Sequence, residues 1–439
     1  MNTAKKLTVF AATLCLGVSL AACGGSTPEA APSTPATQAP IEGNELSVWC
    51  WDPSFNIYAM NEAAKVYQKD HPDFKLNVQE VSWDDIQTKL TTIGQSKQVD
   101  QLPDIVLVQN NAFQKNVMSY PDLFTDISAS GVDFSQYPAG IVAYSTVDGK
   151  NYGLPFDNGA GIDALRTDVL KQAGFTLDDF TDITWSDYIA KAKTVLDKTG
   201  KPLLSGQAGS SDLIMMLMQS AGASLFDADG NPSIVGNDAL LKSIDVYKQL
   251  VQAKVLTEVN SWDEYIATFV NGKVAGTING SWIIGSITTA KDQSGKWDIT
   301  DLPSLEGVQG ATNYSANGGS SWSITSNANV PLAEDFLKAT FAGSTDLYDT
   351  ILPSSGAIAN WIPAGKSTVY SQPQKFFGGD AIYAKIIDYA AKVPSNNTGI
   401  YYYEARDAVS AAITKILKGT DPTSALQEAQ DTVNFAMGG

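Results

Sequence analysis

One histidine serves the whole of this 439-residue chain, and that scarcity removes several chemistries at once. His71 stands in KDHPD, just after a helical pattern, where a solvated turn residue is expected. No two-histidine or Cys/His metal cluster can be assembled around it within one chain, so zinc is excluded and no cofactor is expected. A Ser/His/Asp triad would have to draw on the same charged turn. Cysteine is nearly as rare. Cys15 lies in an apolar leader, Cys23 at its end, and Cys50 alone is an ordinary thiol, which leaves no disulfide framework. Positive charge is short too, with 29 Lys and Arg against 47 Asp and Glu and a formal net charge of −18. Nucleic-acid wrapping draws on a net basic surface, so DNA and RNA are poor partners. There is no GxxxxGKS loop for a nucleotide, and past the leader no apolar run of membrane length.

What remains is an ordinary globular composition, 44% hydrophobic and 17% charged, long enough for roughly two or three domains with large cores. Residues 1–22 carry Lys5 and Lys6, then an apolar run too short for a lasting span, then small residues, the pattern of an export signal. The junction Leu20-Ala21-Ala22-Cys23-Gly24 resembles the bacterial lipobox, which implies a diacylglyceryl group on the Cys23 thiol and cleavage just before it. Several acyl chains anchor a protein stably to a membrane where one does not. Residues 23–43, rich in Pro, Ser, Thr and Ala, read as a flexible tether.

The body alternates strand and helix patterns. ELSVWCW (45–51) is a β-branched and aromatic run that stops at Asp52-Pro53, read as a helix opening with Asp as cap and Pro in the first turn. Ile57, Met60, Ala64 and Tyr67 then recur at helical spacing before a strand pattern returns. DIVLVQNN (104–111) is near-continuously apolar, as suits a strand covered on both faces. The stretch 149–174 reads as a crossing point, with strands on both sides and a helix starting at Thr167 or Asp168. Helical patterns follow at 185–198, 212–222, 237–253, 261–271, 331–342, 380–391, 402–418 and 422–436, with a hairpin turn at Asp229-Gly230-Asn231. An α/β body results.

In order along the chain, VWCWDPSFN, LPDIVLVQNN, DGKNYGLPFDNGAGIDALRTDVLKQAGF with TWSDYIAKAK, FVNGKVAGTINGSW, NGGSSWSIT and YYYEARDAVSAAITKIL resemble the extracellular solute-binding proteins of ABC importers. The resemblance is to the group that binds sugars and oligosaccharides and includes the maltose-binding protein. It implies a two-lobed α/β fold of the periplasmic-binding-protein type II. Each lobe is a mixed, mostly parallel sheet flanked by helices, with the ligand cleft at the hinge. Mapped here, lobe one covers 44–155 and 312–358, and lobe two 156–311 and 359–439. The implied function is capture of a neutral di- or oligosaccharide without catalysis, by a protein expected to be a monomer. Delivery goes to membrane permease subunits driven by a separate cytoplasmic ATPase.

A sugar presents hydroxyls at its edge and C–H patches on its faces, so its receptor needs flat apolar side chains beside carboxylates and amides. In open α/β sheets ligands collect beyond the carboxyl ends of strands, which points to Trp51, Asp52, Phe55 and Asn56, and to Asn110 and Asn111. By match to the family, Trp282 is the first stacking platform. Trp322 with its approach through Gly318 and Gly319, Trp361, and Tyr402 or Tyr403 come next. Asp52, Asn110, Asn111, Asp157, Asn158, Gln207 and Ser281 are the polar candidates. Trp49 and Cys50 are assigned to core positions. Each aromatic has a core role as its alternative, and strand-end Asp and Asn also form ordinary turns.

Other patterns carry less. Gly159 to Ala164 matches GxGxxA, but a strand rather than a helix follows it, so the dinucleotide context is missing. Asp227-Ala228-Asp229-Gly230 hints at a calcium loop, yet its glycine comes too early and no glutamate closes it. A surface-anchored glycoside hydrolase remains a rival, since it too needs aromatics and a carboxylate pair in a cleft. A binding protein for an ionic, peptide or metal ligand is the other.

Overall fold

A computed structural model of the chain describes residues 42–157, 159–394 and 398–438. The strands are β1 (Glu45–Cys50), β2 (Lys75–Glu80), β3 (Ile105–Gln109), β4 (Thr146–Val147), β5 (Lys150–Asn151), β6 (Leu154–Asp157), β7 (Gly161–Arg166), β8 (Leu204–Gln207), β9 (Leu256–Val259), β10 (Gly276–Gly280), β11 (Trp297–Thr300) and β12 (Ser320–Ile324). One sheet runs β2-β1-β3-β12-β6 and a second β10-β7-β11, with β8-β9 and β4-β5 as separate pairs. Helices flank both main sheets, giving two α/β lobes.

Strand direction records how the chain travels. In the first sheet β1 is parallel to β2 and β3, and β12 is antiparallel to both β3 and β6, so β12 alone is reversed. In the second, β10 and β11 are both antiparallel to β7. The reversed strand in each sheet is the one delivered by a crossing: β7 follows directly from β6, and β12 returns the chain from the second lobe. The mixed sheet that the resemblance implies is thus present in the first lobe, but the mostly parallel pairing expected of each lobe is corrected: half of the first sheet's pairings and both of the second's are antiparallel, because the crossing strands β12 and β7 enter reversed.

The crossings meet as a short web of backbone bonds. Gly161 N–H donates to Ser315 O at 2.7 Å, Asn317 N–H to Gly159 O at 2.7 Å, and Ser281 N–H to Ala160 O at 2.8 Å. A Cβ on Gly159 would stand 2.2 Å from Asn317 O, so only glycine permits this approach. A bridge between Asp157 and Ala359 brings a further segment to the same place.

Burial explains the strand sequences. β3 reads IVLVQ and is buried along its first four residues. Leu46, Val48, Phe156, Trp322 and Phe336 form the first lobe's core. β7 alternates: Ile162 and Ala164 face a core with Ile283, Trp297 and Tyr383, while Leu165 faces one with Trp185, Leu204 and Ile413.

Helix starts follow their caps, since a side-chain oxygen there satisfies an orphan backbone N–H. Thr184 accepts from Asp187 N, Asn237 from Leu240 N and Ser261 from Glu264 N. Asp421 with Pro422 opens the last helix, Pro422–Ala436. At Asp52 the expectation of a helix cap is corrected. Its carboxylate accepts from Ser54 N at 2.8 Å and its carbonyl from Phe55 and Ile57 N, so Asp52 shapes a turn, and the helix begins at Asn56. The helix Thr345–Ser355 had no clear sequence signature, because Pro353 lies within its last turn. Among the described residues no helix is long and apolar enough to cross a membrane.

Candidate functional site

Where the crossings converge, a cavity of ≈ 260 Å³ opens between the lobes. From the first lobe and the crossings it takes Asn110, Asn111, Tyr144, Asp157, Asn317, Gly318 and Gly319; from the second, Met215, Met218, Gln219, Pro394 and Tyr402. Asn110 arrives at the carboxyl end of β3. Its N–H donates to Gly319 O at 2.9 Å, and its side-chain oxygen accepts from the Ser321 hydroxyl at 2.9 Å. Gly319 has φ +98°, and a Cβ there would stand 2.9 Å from Asn110 Nδ2, so glycine is required twice over. Asn111 adds a buried side-chain oxygen that no protein donor reaches.

Asp157, the last residue of β6, is nearly fully buried and accepts a hydrogen bond from the Ser320 hydroxyl. Burial pushes its carboxyl up to about 6, because desolvation outweighs the bonds from Ser320. The Asn360 amide donates to its carbonyl at 2.7 Å.

The aromatics gather beside this cavity. Trp282 follows β10, and its indole N–H donates to Asn317 O at 2.9 Å. Its ring lies 5.8 Å from that of Trp262, which is 37% exposed. Under Trp262 a second hollow of ≈ 50 Å³ is lined by Gln207, Asp212, Tyr265 and Asn279. Asn279 joins the two regions, accepting from Asn317 Nδ2 at 2.8 Å and donating to the Tyr265 hydroxyl at 3.1 Å. On the other side Trp51 lies 5.4 Å from Trp83, Trp83 5.8 Å from Tyr403, and Tyr403 5.2 Å from Tyr402. Amides, a carboxyl and half-buried rings supplied by both lobes suit a ligand with hydroxyl edges and apolar faces. Among the described residues no group of three or more His, Cys, Asp or Glu side chains is arranged to hold a metal ion.

Residues 62–352 match the family of bacterial extracellular solute-binding proteins. The chain belongs to that family. Its members are exported binding proteins, which sets the compartment. Among curated relatives, a lactose-binding protein of Rhizobium radiobacter is 36% identical over 388 residues, covering 88% of this chain and 92% of its own. An arabinooligosaccharide-binding protein of Bacillus subtilis is 24% identical, covering 79% of each. Among solved structures, the ABC transporter associated binding protein from B. animalis subsp. lactis, in complex with beta-1,6-galactobiose, superposes with a TM-score of 0.75. It is 20% identical and covers 89% of this chain and 97% of that one.

Within this solute-binding fold the residues expected at the cleft separate into groups. Asn110, Asn111, Asp157, Gly318, Gly319 and Tyr402 line the larger cavity. Gln207 lines the smaller hollow instead. Trp51, Asp52, Trp282 and Trp361 are half-buried nearby, Trp361 with its ring 6.4 Å from Tyr348. Other expected site residues are corrected to structural positions. Trp322 is fully buried, because it pairs with Leu107 and Leu154 across β12 and shares their core face. Phe55 is core, 5.5 Å from Phe156. Asn56 is fully buried, its oxygen accepting from the Trp51 and Asp52 N–H groups at 3.0 Å. Ser281 is buried at the crossing, outside both cavity linings, and stays an untried candidate. Tyr403 is buried too, its hydroxyl donating to the Gln109 side chain. Trp49 and Cys50 are buried, and burial holds the Cys50 thiol well above its usual range. Asn158 and Cys23 lie outside the described residues.

Trp262, Tyr144, Met215, Met218 and Asn317 are not among the residues expected from the sequence. Trp262 had a usable signal, being a tryptophan in the first turn of a capped helix, where side chains more often face water. The methionines had none, because Met in the run DLIMMLMQ reads as core.

Proposed function

We propose that this protein captures a neutral di- or oligosaccharide between its lobes and hands it to the membrane permease of an ABC importer, whose ATPase subunits are separate chains. The observation that carries the reading is the cavity at the lobe junction, lined among the described residues by amides, the Asp157 carboxyl and the two tyrosines Tyr144 and Tyr402. The 36% identity to a lactose-binding protein supports a small galactose-containing sugar as the first ligand to try. Lobe one is taken as 44–155 with 312–358 and lobe two as 156–311 with 359–439, supported by the strands that make up each sheet. Asp157 and the two asparagines would bond sugar hydroxyls, with Trp282 and Trp262 as platforms for the rings. Asn158, outside the described residues, stays a candidate on the sequence alone.

Both lobes touch the ligand only when closed, so binding favours closure. The protein acts as a monomer and not as an enzyme. Hydrolysis needs two carboxyl groups about 5–9.5 Å apart across the bond, and among the described residues the larger cavity's lining contributes Asp157 alone. The leader and Cys23 support lipid anchoring at the outer face of the cell membrane. Incubation with di- to tetrasaccharides, followed by ultrafiltration and chromatography, tests the reading. Retention of intact sugar with the protein is expected; cleaved sugar, or no retention of any neutral saccharide, would overturn it.

A further inference from the structure

The first turn of the helix Tyr402–Leu417 serves two cores at once. From Ala405 onward the helix is built into the second lobe, with Ala405, Val409 and Ile413 sharing a core with Leu204. Tyr403 points the other way, into the cluster of Trp83, Val108 and Phe113 in the first lobe. Its hydroxyl bonds the side chain of Gln109 at the end of β3, and its ring lies 5.8 Å from Trp83. The next residue, Glu404, forms an ion pair with Lys115 on the helix Phe113–Ser119 of the first lobe. Arg406 secures this turn from the second-lobe side, with its guanidinium 4.8 Å over the Tyr403 ring and 4.0 Å from Asp212.

Tyr403, Glu404, Gln109 and Lys115 are all absent from the lining of the cavity. They join lobe to lobe rather than lobe to ligand. We infer that Tyr403 and Glu404 are positioning residues, forming with Gln109 and Lys115 a latch that biases the lobes toward the closed arrangement whether or not the cleft is filled. The inference rests on the two-lobed capture reading above, and it assigns Tyr403 a role other than sugar contact. A protein whose binding-competent form is only fractionally populated loses apparent affinity in proportion to that fraction. Removing the latch therefore weakens every ligand by one common factor and leaves their ratios unchanged, whereas removing a ligand contact alters the ratios.

The test uses the mature protein carrying one spin label on each lobe, with Tyr403→Phe, Lys115→Met and the charge exchange Lys115→Glu/Glu404→Lys. Tyr403→Phe keeps the ring in its cluster, and circular dichroism confirms the fold. In ligand-free protein, Tyr403→Phe and Lys115→Met should shift the inter-lobe distance distribution toward longer values, and the charge exchange should recover part of the shorter population. For any two sugars that bind, Tyr403→Phe should weaken both by the same factor, roughly 2- to 10-fold for one hydrogen bond. An unchanged ligand-free distribution would overturn the latch, as would a Tyr403→Phe effect confined to one sugar. The distance measurement needs no sugar, so a failure of the carbohydrate reading is seen separately, as an absence of binding in the unsubstituted protein.

Discussion

The indole N–H of Trp282 donates to the backbone carbonyl of Asn317 at 2.9 Å, tying the aromatic ring after β10 to the stretch that carries the chain back to the first lobe. The bond fixes the ring's edge, and the half-buried indole packs against the cores of both lobes, which is why it is proposed as a stacking platform. Phe retains a face but loses the tether; Ala loses both. Trp282→Ala should weaken sugar affinity by at least tenfold, a loss of about 1.4 kcal/mol or more, and Trp282→Phe by a smaller factor. Calorimetric titration of each variant checks this, and an unchanged affinity in Trp282→Ala would remove the ring from the site.

Trp322 makes the opposite case. It is fully buried, with its ring 5.3 Å from Phe156 and 5.5 Å from Phe341. Trp322→Ala should cost about 3–5 kcal/mol of stability through the cavity it leaves, while the fraction that still folds keeps its sugar affinity. Denaturant melts and titration read the two effects separately. A large affinity loss without a stability loss would contradict the core assignment.

As a proposed sugar contact, Asp157 should tie binding to pH. Burial raises its carboxyl to about 6, and the ionised form is the better acceptor for sugar hydroxyls. Affinity should hold above pH 7 and decline as pH falls through 6, with Asp157→Asn weaker than the unsubstituted protein at pH 7.5 and insensitive to pH in this range. Titrations at pH 5, 6 and 7.5 provide the check; a flat profile in the unsubstituted protein would exclude Asp157 from the contact set.

Asp163 ties stability to pH with the opposite benefit. It lies on β7, fully buried, with the Tyr188 phenol set against its carboxyl and, among the described residues, no cation acting to balance its charge. Burial drives its carboxyl well above the ordinary range, the Asp301 charge adds to this, and the Tyr188 phenol offsets part of it. A carboxyl raised by folding favours the native state while protonated and penalises it as pH climbs past the unfolded value near 4. Asp163→Asn should therefore raise the melting temperature at pH 7.5 by about 2–5 °C, with the gain vanishing toward pH 4. A lower melting temperature at pH 7.5 would show that the charge is compensated.

Trp282 and Trp322 also show how far the sequence could be read. Both follow a small polar approach, NGSW in one case and GGSSW in the other. Trp282 stands past the end of β10, whereas Trp322 lies within β12, where pairing with Leu107 and Leu154 fixes its face. Which side of a strand's end a tryptophan falls on depends on partners far along the chain, and a local pattern does not contain them. Periodicity with a cap was enough for helices such as Trp185–Thr199 and Pro422–Ala436. Asn110 and Asn111 were legible because β3 is so strongly apolar that its end is unmistakable. Met215 and Met218 were not, since their approach to the crossings is a matter of lobe against lobe.

Isothermal titration of the protein with lactose and related neutral disaccharides tests the central claim most directly. One sugar per chain, bound with a negative heat-capacity change and recovered intact, is the predicted result. No heat from any neutral saccharide, or tight stoichiometric binding of an ion, amino acid or peptide in its place, would contradict it.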